Sequence, residues 1–282
     1  MAPADYNMNK LILQRYNKII FLLINRRLSI KLASKELNHP VNEKKTFILI
    51  SLPFIGLTAL CLLSLFYIKS AYAVTIETIV STLKIEKSSQ LLLVTNNSPS
   101  SVDVKIHALE KQGGKWKIVR ESFNGVIGKN GFAGPGEKRE GDGKTPSGIF
   151  SLGLTFGYGE YAQTKMPYRQ ALPDDLWIDD VHAGDYNRWV KQADTNAVSY
   201  EKMRRNDNLY KYGIVIEYNT NPVIKGHGSA IFFHVWRAEN IGTEGCVAVG
   251  EEEIIRILGW LDPQARPLII TGTENILERL IP

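Results

Sequence analysis

Cysteine is nearly absent from this chain. Its 282 residues hold two, Cys61 and Cys246, and Cys61 lies inside a long apolar run. If that run is removed or stays in a bilayer, the remainder has a single thiol and no internal disulfide. Cys246 is then either an intermolecular link or a reactive group. A firm metal-binding spacing such as H-E-x-x-H is also missing. Asp179, Asp180 and His182 stand close together, with His227 and His234 further on, but the first three read as a solvated acidic turn. No metal and no other cofactor is expected. A basic patch on the folded part is lacking too. Residues 1–73 carry 10 Lys/Arg against 3 Asp/Glu, a net of +7, and residues 74–282 carry 24 against 26, a net of −2. With no cluster beyond Arg204-Arg205 in the second part, nucleic acid is excluded as a partner. Gly143-Lys144-Thr145 lacks the helix that a phosphate loop needs, since Pro146 and a strand-like Ile149 to Leu152 follow it.

What is present divides the chain in three. Residues 1–45 are a basic leader, in which Leu11 to Leu32 forms either an interfacial helix or a weakly structured stretch with no role of its own. Thr46 to Ile68 is 23 residues without a charge, between Lys44-Lys45 and Lys69. That length crosses a hydrocarbon layer of about 30 Å. Ala71-Tyr72-Ala73 follows with the small-x-small pattern of a cleavage site, so residues 46–73 are a signal peptide or a membrane anchor. Positive charge on the N-terminal side orients either version with residues 74–282 outside the cytoplasm. The expected location is the periplasm or cell envelope, with attachment to the cytoplasmic membrane through residues 46–68 if the segment is uncleaved.

Residues 74–282 read as mostly β. Val102, Val104, Ile106 and Ala108 alternate with polar residues, and Lys111-Gln112-Gly113-Gly114 makes a hairpin turn before Trp116 to Val119. Gly125 to Gly148 reads as a glycine-rich surface loop feeding a strand. Residues at about 156–211 are aromatic and acidic with little periodicity, an insertion of the kind that caps or lines a functional site. Ile214 to Tyr218 is a strand, Glu251 begins a helix with Ile254, Ile257, Leu258 and Leu261 on one face, and Leu268 to Thr271 is a closing strand.

The chemistry gathers at Ala230 to Trp236, an apolar strand interrupted only by His234, and at Gly245-Cys246-Val247. Cys246 follows His234 by 12 positions, so an outgoing strand, a loop and a returning strand at Val247 would bring both to one sheet edge. An imidazole beside a thiol lowers the thiol pKa from about 8.5 toward or below neutrality, and the thiolate is the nucleophile. Gly245 permits a sharp turn with backbone N–H groups facing a developing oxyanion. The alternative is a packed structural cysteine and a satisfied core histidine.

Asp142-Gly143-Lys144-Thr145-Pro146-Ser147-Gly148-Ile149-Phe150, with Gly228 to His234 and Thr243-Glu244-Gly245-Cys246-Val247, resembles the L,D-transpeptidase catalytic domain of the YkuD type. The resemblance is to the branch in which Cys-Val-Ala stands in place of Cys-Ile-Arg, and it covers roughly Ser89 to Thr271. It implies a mixed β-sandwich or barrel with a few helices, preceded by an N-terminal export or transmembrane helix. It further implies a cysteine acyltransferase acting on peptidoglycan stem peptides outside the membrane. Carried over, Cys246 is the nucleophile and His234 the base, and Gly245, Thr243 and Glu244 form the oxyanion loop. Arg237, His227, Tyr168 and Trp177 are the expected substrate contacts. Arg237 would replace the family's arginine or asparagine, which is Ala248 here, and His227 is the competing candidate for the base. Hydrolysis at the same acyl-enzyme, and a non-catalytic envelope-binding module, are the alternatives.

Overall fold

The computed structural model describes residues 85–279 together with Ile76, Val80, Ser81 and Leu83. The leader at 1–45 and the run at 46–73 lie outside the described residues. Among the described residues no helix is long and apolar enough to cross a membrane.

The strands in chain order are β1 (Gln90–Asn96), β2 (Asp103–Gln112), β3 (Lys115–Ile118), β4 (Phe123–Val126), β5 (Phe132–Ala133), β6 (Thr145–Pro146), β7 (Gly148–Gly157) and β8 (Tyr168–Gln170). They continue with β9 (Asp175–Ile178), β10 (Trp189–Lys191), β11 (Tyr200–Lys202), β12 (Tyr212–Ile216), β13 (Phe232–Val235), β14 (Val247–Val249) and β15 (Leu268–Thr273). Helix α1 spans Glu251–Trp260 and α2 spans Glu274–Arg279. Eight strands run in the order β1-β15-β7-β12-β13-β14-β4-β2, and β2 pairs back onto β1, which closes a barrel and removes its open edges. Of the two outcomes expected from the sequence, sandwich or barrel, the chain forms the barrel. β3 is added to β2, as the hairpin signal predicts, and β8 to β7.

Side-chain alternation sorts each barrel strand into an inner and an outer face. Leu92, Val94, Val104, Ile106, Phe233, Val235, Val247 and Val249 point inward, joined by Ile254, Ile257 and Leu258 of α1. The three glutamates that open α1 complement the positive end of its dipole. Outside, Leu91 and Leu93 of β1 are covered by Ile76, Val80 and Leu83. β1 was not anticipated as a strand. Buried on both faces, it reads as an unbroken apolar run without the alternation that marks a half-buried strand.

A second cover lies over β7, β12 and β13, and residues 156–211 make it. β9 pairs antiparallel with both β10 and β11 to give a small three-stranded sheet, which carries Trp177 and Met203 against Phe156, Val215 and Phe232. Asp175, buried in β9, is held by Arg169 at 2.7 Å and Lys191 at 3.1 Å and accepts the Leu172 N–H at 2.8 Å, which pins the sheet at its start.

Three local expectations are corrected. β13 and β14 are parallel neighbours, so the strand at Val247 does not return antiparallel. The loop between them docks on the end of β4, where Thr243 N donates to Ile127 O at 2.8 Å and Lys129 N to Thr243 O at 2.7 Å, and the chain re-enters in the direction it left. Gly242 permits that docking, because a Cβ there would sit 2.6 Å from the Lys129 Cα. Gly125 to Gly148 is not simply a surface loop: Thr145 and Lys138 are buried beneath the cysteine. Nor is Asp179 a solvated residue. It is partly buried, and desolvation raises its carboxyl above the ordinary carboxylate range.

Candidate active site

Parallel pairing puts Phe233 opposite Val247 and His234 opposite Ala248. Phe233, Val235, Val247 and Val249 all face the barrel interior, so the alternate residues Phe232, His234 and Cys246 share the outer face. They lie beneath the insertion. Tyr210 closes the site over them, its ring edge-on to Phe232 at 5.6 Å and to the His234 imidazole at 5.2 Å between centroids. Trp177 meets Phe232 edge-on at 5.0 Å. Cys246 is 8% exposed and His234 5%.

The thiol has two backbone partners. Sγ donates to Ala230 O at 3.3 Å and accepts from Phe232 N, also at 3.3 Å. His234 Nδ1 lies 2.7 Å from Val235 O, which makes Nδ1 the donor and leaves Nε2 as the basic nitrogen. Burial pushes the Cys246 thiol up to about 12, against a weaker opposing effect of the Phe232 N–H. Burial likewise lowers His234 to about 4, with the Val235 carbonyl opposing. The expected lowering of the thiol pKa by the imidazole does not appear: burial dominates, and the lesser influences come from the Phe232 N–H, Glu201, Lys138 and Arg205. In a site this dry the charged form of each group is disfavoured, and the pair rests as neutral thiol and neutral imidazole.

The backbone around Cys246 is braced from below. Thr145 Oγ1 accepts from Gly128 N at 2.9 Å and donates to Gly245 O at 2.8 Å, with Cys246 O at 3.2 Å. Thr243 Oγ1 donates to Cys246 O at 2.7 Å and accepts from Gly245 N at 3.1 Å. The Gly245 N–H is thus already engaged, and the donor next to the thiol for an oxyanion is the N–H of Cys246 itself. Gly245 holds φ +146° with Lys144 O 3.0 Å from where a Cβ would stand, so a side chain there would be strained. Replacing Thr145 with Val strands a buried carbonyl and a buried N–H. The expected loss is about 1–3 kcal/mol of stability together with slower turnover, measured by chemical denaturation and by initial rates on the same preparation. Unchanged values for both would remove Thr145 from the site.

Lys138 adds a buried cation, 3% exposed, with Nζ 2.6 Å from Asp142 Oδ1 and 2.8 Å from Arg139 O. Asp142 also accepts from Arg139 N and Lys144 N, which shapes the turn leading to Thr145. The Lys138 charge favours the Cys246 thiolate, the Glu201 charge disfavours it, and neither outweighs burial.

The other residues singled out from the sequence disperse. Trp177 is a wall of the site, its Nε1 committed to Asn187 Oδ1 at 2.8 Å. Arg237 is exposed, and its charge adds a small part to the Arg205 hydrogen bonds and the Leu209 N–H that hold the Asp207 carboxyl below the usual range. Glu244 sits on the surface, paired with Lys129 at 2.7 Å. His227 stands in the β12–β13 loop, where its carbonyl accepts from Tyr218 Oη at 2.6 Å. Tyr168 lies on β8 and donates to Gly159 O at 2.6 Å, outside the cluster around Cys246. Sequence reasoning gave no role to Thr145, Lys138, Asn187 or Tyr210. Thr145 was within reach, as part of the quoted Thr-Pro-Ser-Gly segment; Lys138 is held within its own turn by Asp142 and Arg139, whereas the contacts of Asn187 and Tyr210 arise only from the packing of the insertion.

Comparison with known proteins adds one finding. No curated protein and no solved structure matches the chain. The YkuD model, described as the L,D-transpeptidase catalytic domain, matches residues 105–270. That span covers more than half of the chain and runs from within β2 to the middle of β15, with Cys246 and His234 inside it. The chain therefore belongs to the L,D-transpeptidase catalytic domain family.

Proposed function

We propose that this chain is an exported peptidoglycan L,D-transpeptidase with Cys246 as nucleophile and His234 as general base. The observation that carries the reading is the common placement of the two side chains on one barrel face under an aromatic cover. Sγ attacks the carbonyl carbon of the diamino acid that precedes the terminal D-alanine of a tetrapeptide stem, and its proton passes to His234 Nε2. The oxyanion takes the Cys246 N–H. Collapse breaks the amide bond, His234 returns the proton to the departing D-alanine amine, and a thioester remains. An amine from a neighbouring stem gives a proton to His234 and attacks the thioester, which forms the new amide and releases the thiol. Tyr210 and Phe232 favour an amine over water as acceptor, because apolar walls keep bulk water off the thioester. Export rests on the charge-flanked apolar run at 46–73 and its cleavage pattern. Mass spectrometry of tetrapeptide stems incubated with the enzyme tests the reading: cross-linked dimers and free D-alanine are expected. Tripeptide alone would establish hydrolysis instead.

Arg237 supplies a substrate contact within this reading. Exposed just past β13, its guanidinium can meet a stem carboxylate with two parallel hydrogen bonds. Arg237→Ala is expected to raise KM about tenfold while kcat stays within about twofold, the pattern of a lost binding contact. An unchanged KM in steady-state assays would assign that role elsewhere.

A further inference from the structure

Asn187 has no part in the chemistry above, yet it joins the insertion to the nucleophile. It is buried, and its φ of 59° is left-handed, a region asparagine tolerates better than most residues. All of its side-chain capacity is used. Oδ1 accepts from Trp177 Nε1 at 2.8 Å and from Ala230 N at 3.1 Å, and Nδ2 donates to Asn219 O at 2.7 Å and Tyr218 O at 3.3 Å. Ala230 is itself left-handed at φ 53°, a conformation that alanine adopts only when its surroundings impose it. The carbonyl of this strained residue accepts the Cys246 Sγ–H. Ser229, just before it, is tied to the same insertion, since Ser229 Oγ donates to Glu140 Oε2 at 2.7 Å and Tyr186 Oη donates to the same oxygen.

We propose that Asn187 is a positioning residue for the nucleophile: it holds the Ala230 peptide in its left-handed form so that the Ala230 carbonyl fixes the Cys246 thiol, and it makes thiol reactivity depend on the seating of Trp177 and the insertion. The physical reason is the direction of the two backbone groups on sulfur. The Phe232 N–H favours a thiolate and the Ala230 carbonyl favours a thiol, so the position of one peptide sets which form the site supports. While the insertion is seated, the thiol stays protonated and covered. When a stem peptide displaces Trp177, Asn187 loses one of its partners, the Ala230 peptide relaxes, and the S–H is free to turn toward His234.

The proposal rests on Cys246 being the nucleophile, so its test reads the thiol directly as well as turnover. In the full chain, Asn187→Ala is expected to raise the iodoacetamide alkylation rate of Cys246 about fivefold or more under native conditions, because the cover and the acceptor carbonyl are both loosened. The same variant is expected to lower kcat on tetrapeptide stems about tenfold or more with KM within about threefold, because the sulfur is no longer aimed. Alkylation within twofold of wild type, or kcat falling only in proportion to the unfolded fraction, would overturn the proposal. Ala230→Gly serves if Asn187→Ala does not fold, since glycine takes φ 53° without strain. It is expected to melt no lower than wild type while alkylating faster and turning over more slowly, and wild-type values for both rates would overturn the proposal. Turnover surviving in Cys246→Ser would instead remove the catalytic reading and leave the alkylation result standing.

Discussion

Cys246→Ser is expected to lower turnover of tetrapeptide stems by about 10⁴-fold or more, the scale seen when a catalytic nucleophile is removed. Oxygen is a smaller, less polarisable atom than sulfur, and a serine hydroxyl gives up its proton far less readily than a thiol. The base available makes the gap worse. Burial holds His234 at about 4, so its imidazole is a weak proton acceptor, and burial holds the thiol at about 12. A pair so far apart does not rest as thiolate and imidazolium, and proton transfer accompanies attack instead of preceding it. A thiol yields its proton to a weak base during attack far more readily than an alcohol does, so sulfur tolerates that arrangement and oxygen does not. Since serine is close in size to cysteine, the fold is retained, and melting temperature is the control. Intact-protein mass spectrometry should show a tripeptide adduct on wild type and none on Cys246→Ser. An adduct on the serine variant, or turnover within tenfold of wild type, would move the nucleophile away from position 246. The same neutral pair predicts slow alkylation of the resting enzyme at neutral pH, with the rate still climbing above pH 9, where an ordinary thiol levels off.

Stability is expected to peak between about pH 6.5 and 9 and to fall on both sides, through the two members of this site. On the acid side the unfolded chain binds a proton on histidine at 6.5, whereas folded His234 does not until about 4. The unfolded state is therefore favoured as pH drops through that window. A difference of this size amounts to about 3 kcal/mol, fully lost by pH 4. His107, buried beside Lys105 and also lowered, adds a loss of the same sign. On the alkaline side the unfolded thiol ionises at 9 and folded Cys246 at about 12, so about 4 kcal/mol is lost across that interval. Guanidinium melts at pH 4.5, 7 and 10.5 measure both limbs. His234→Gln should flatten most of the acid limb and leave the alkaline limb in place, and Cys246→Ser should do the reverse. An acid limb unaltered in His234→Gln would mean that the imidazole is solvated in the folded protein.

Strands with one wet face were legible because alternation survives in them: β2 and its hairpin partner β3 follow Val104, Ile106 and Ala108 and the Gly113-Gly114 turn. β13 was legible because His234 is the one polar residue in an apolar run, and α1 because Ile254, Ile257 and Leu258 repeat at helical spacing. β1 was not, because the two covers that bury Leu91 and Leu92 on opposite faces come from other parts of the chain. The direction of β14 was hidden for the same kind of reason. It depends on Thr243 docking on the end of β4, more than a hundred residues earlier, and a spacing of 12 positions is equally compatible with a hairpin.

By itself, then, the sequence determined the family and singled out the residues proposed for the chemistry: a cysteine behind glycine, a histidine in an apolar strand, and the Thr-Pro-Ser-Gly segment are local signals, set by residue type and order. Tertiary structure alone decided the electrostatic state of those residues and the company they keep. Closing the barrel turned Cys246 and His234 to one outer face, and folding the insertion over them removed water. A titration follows from burial, and burial is a property of the surfaces that meet at a residue, which no stretch of neighbouring sequence contains.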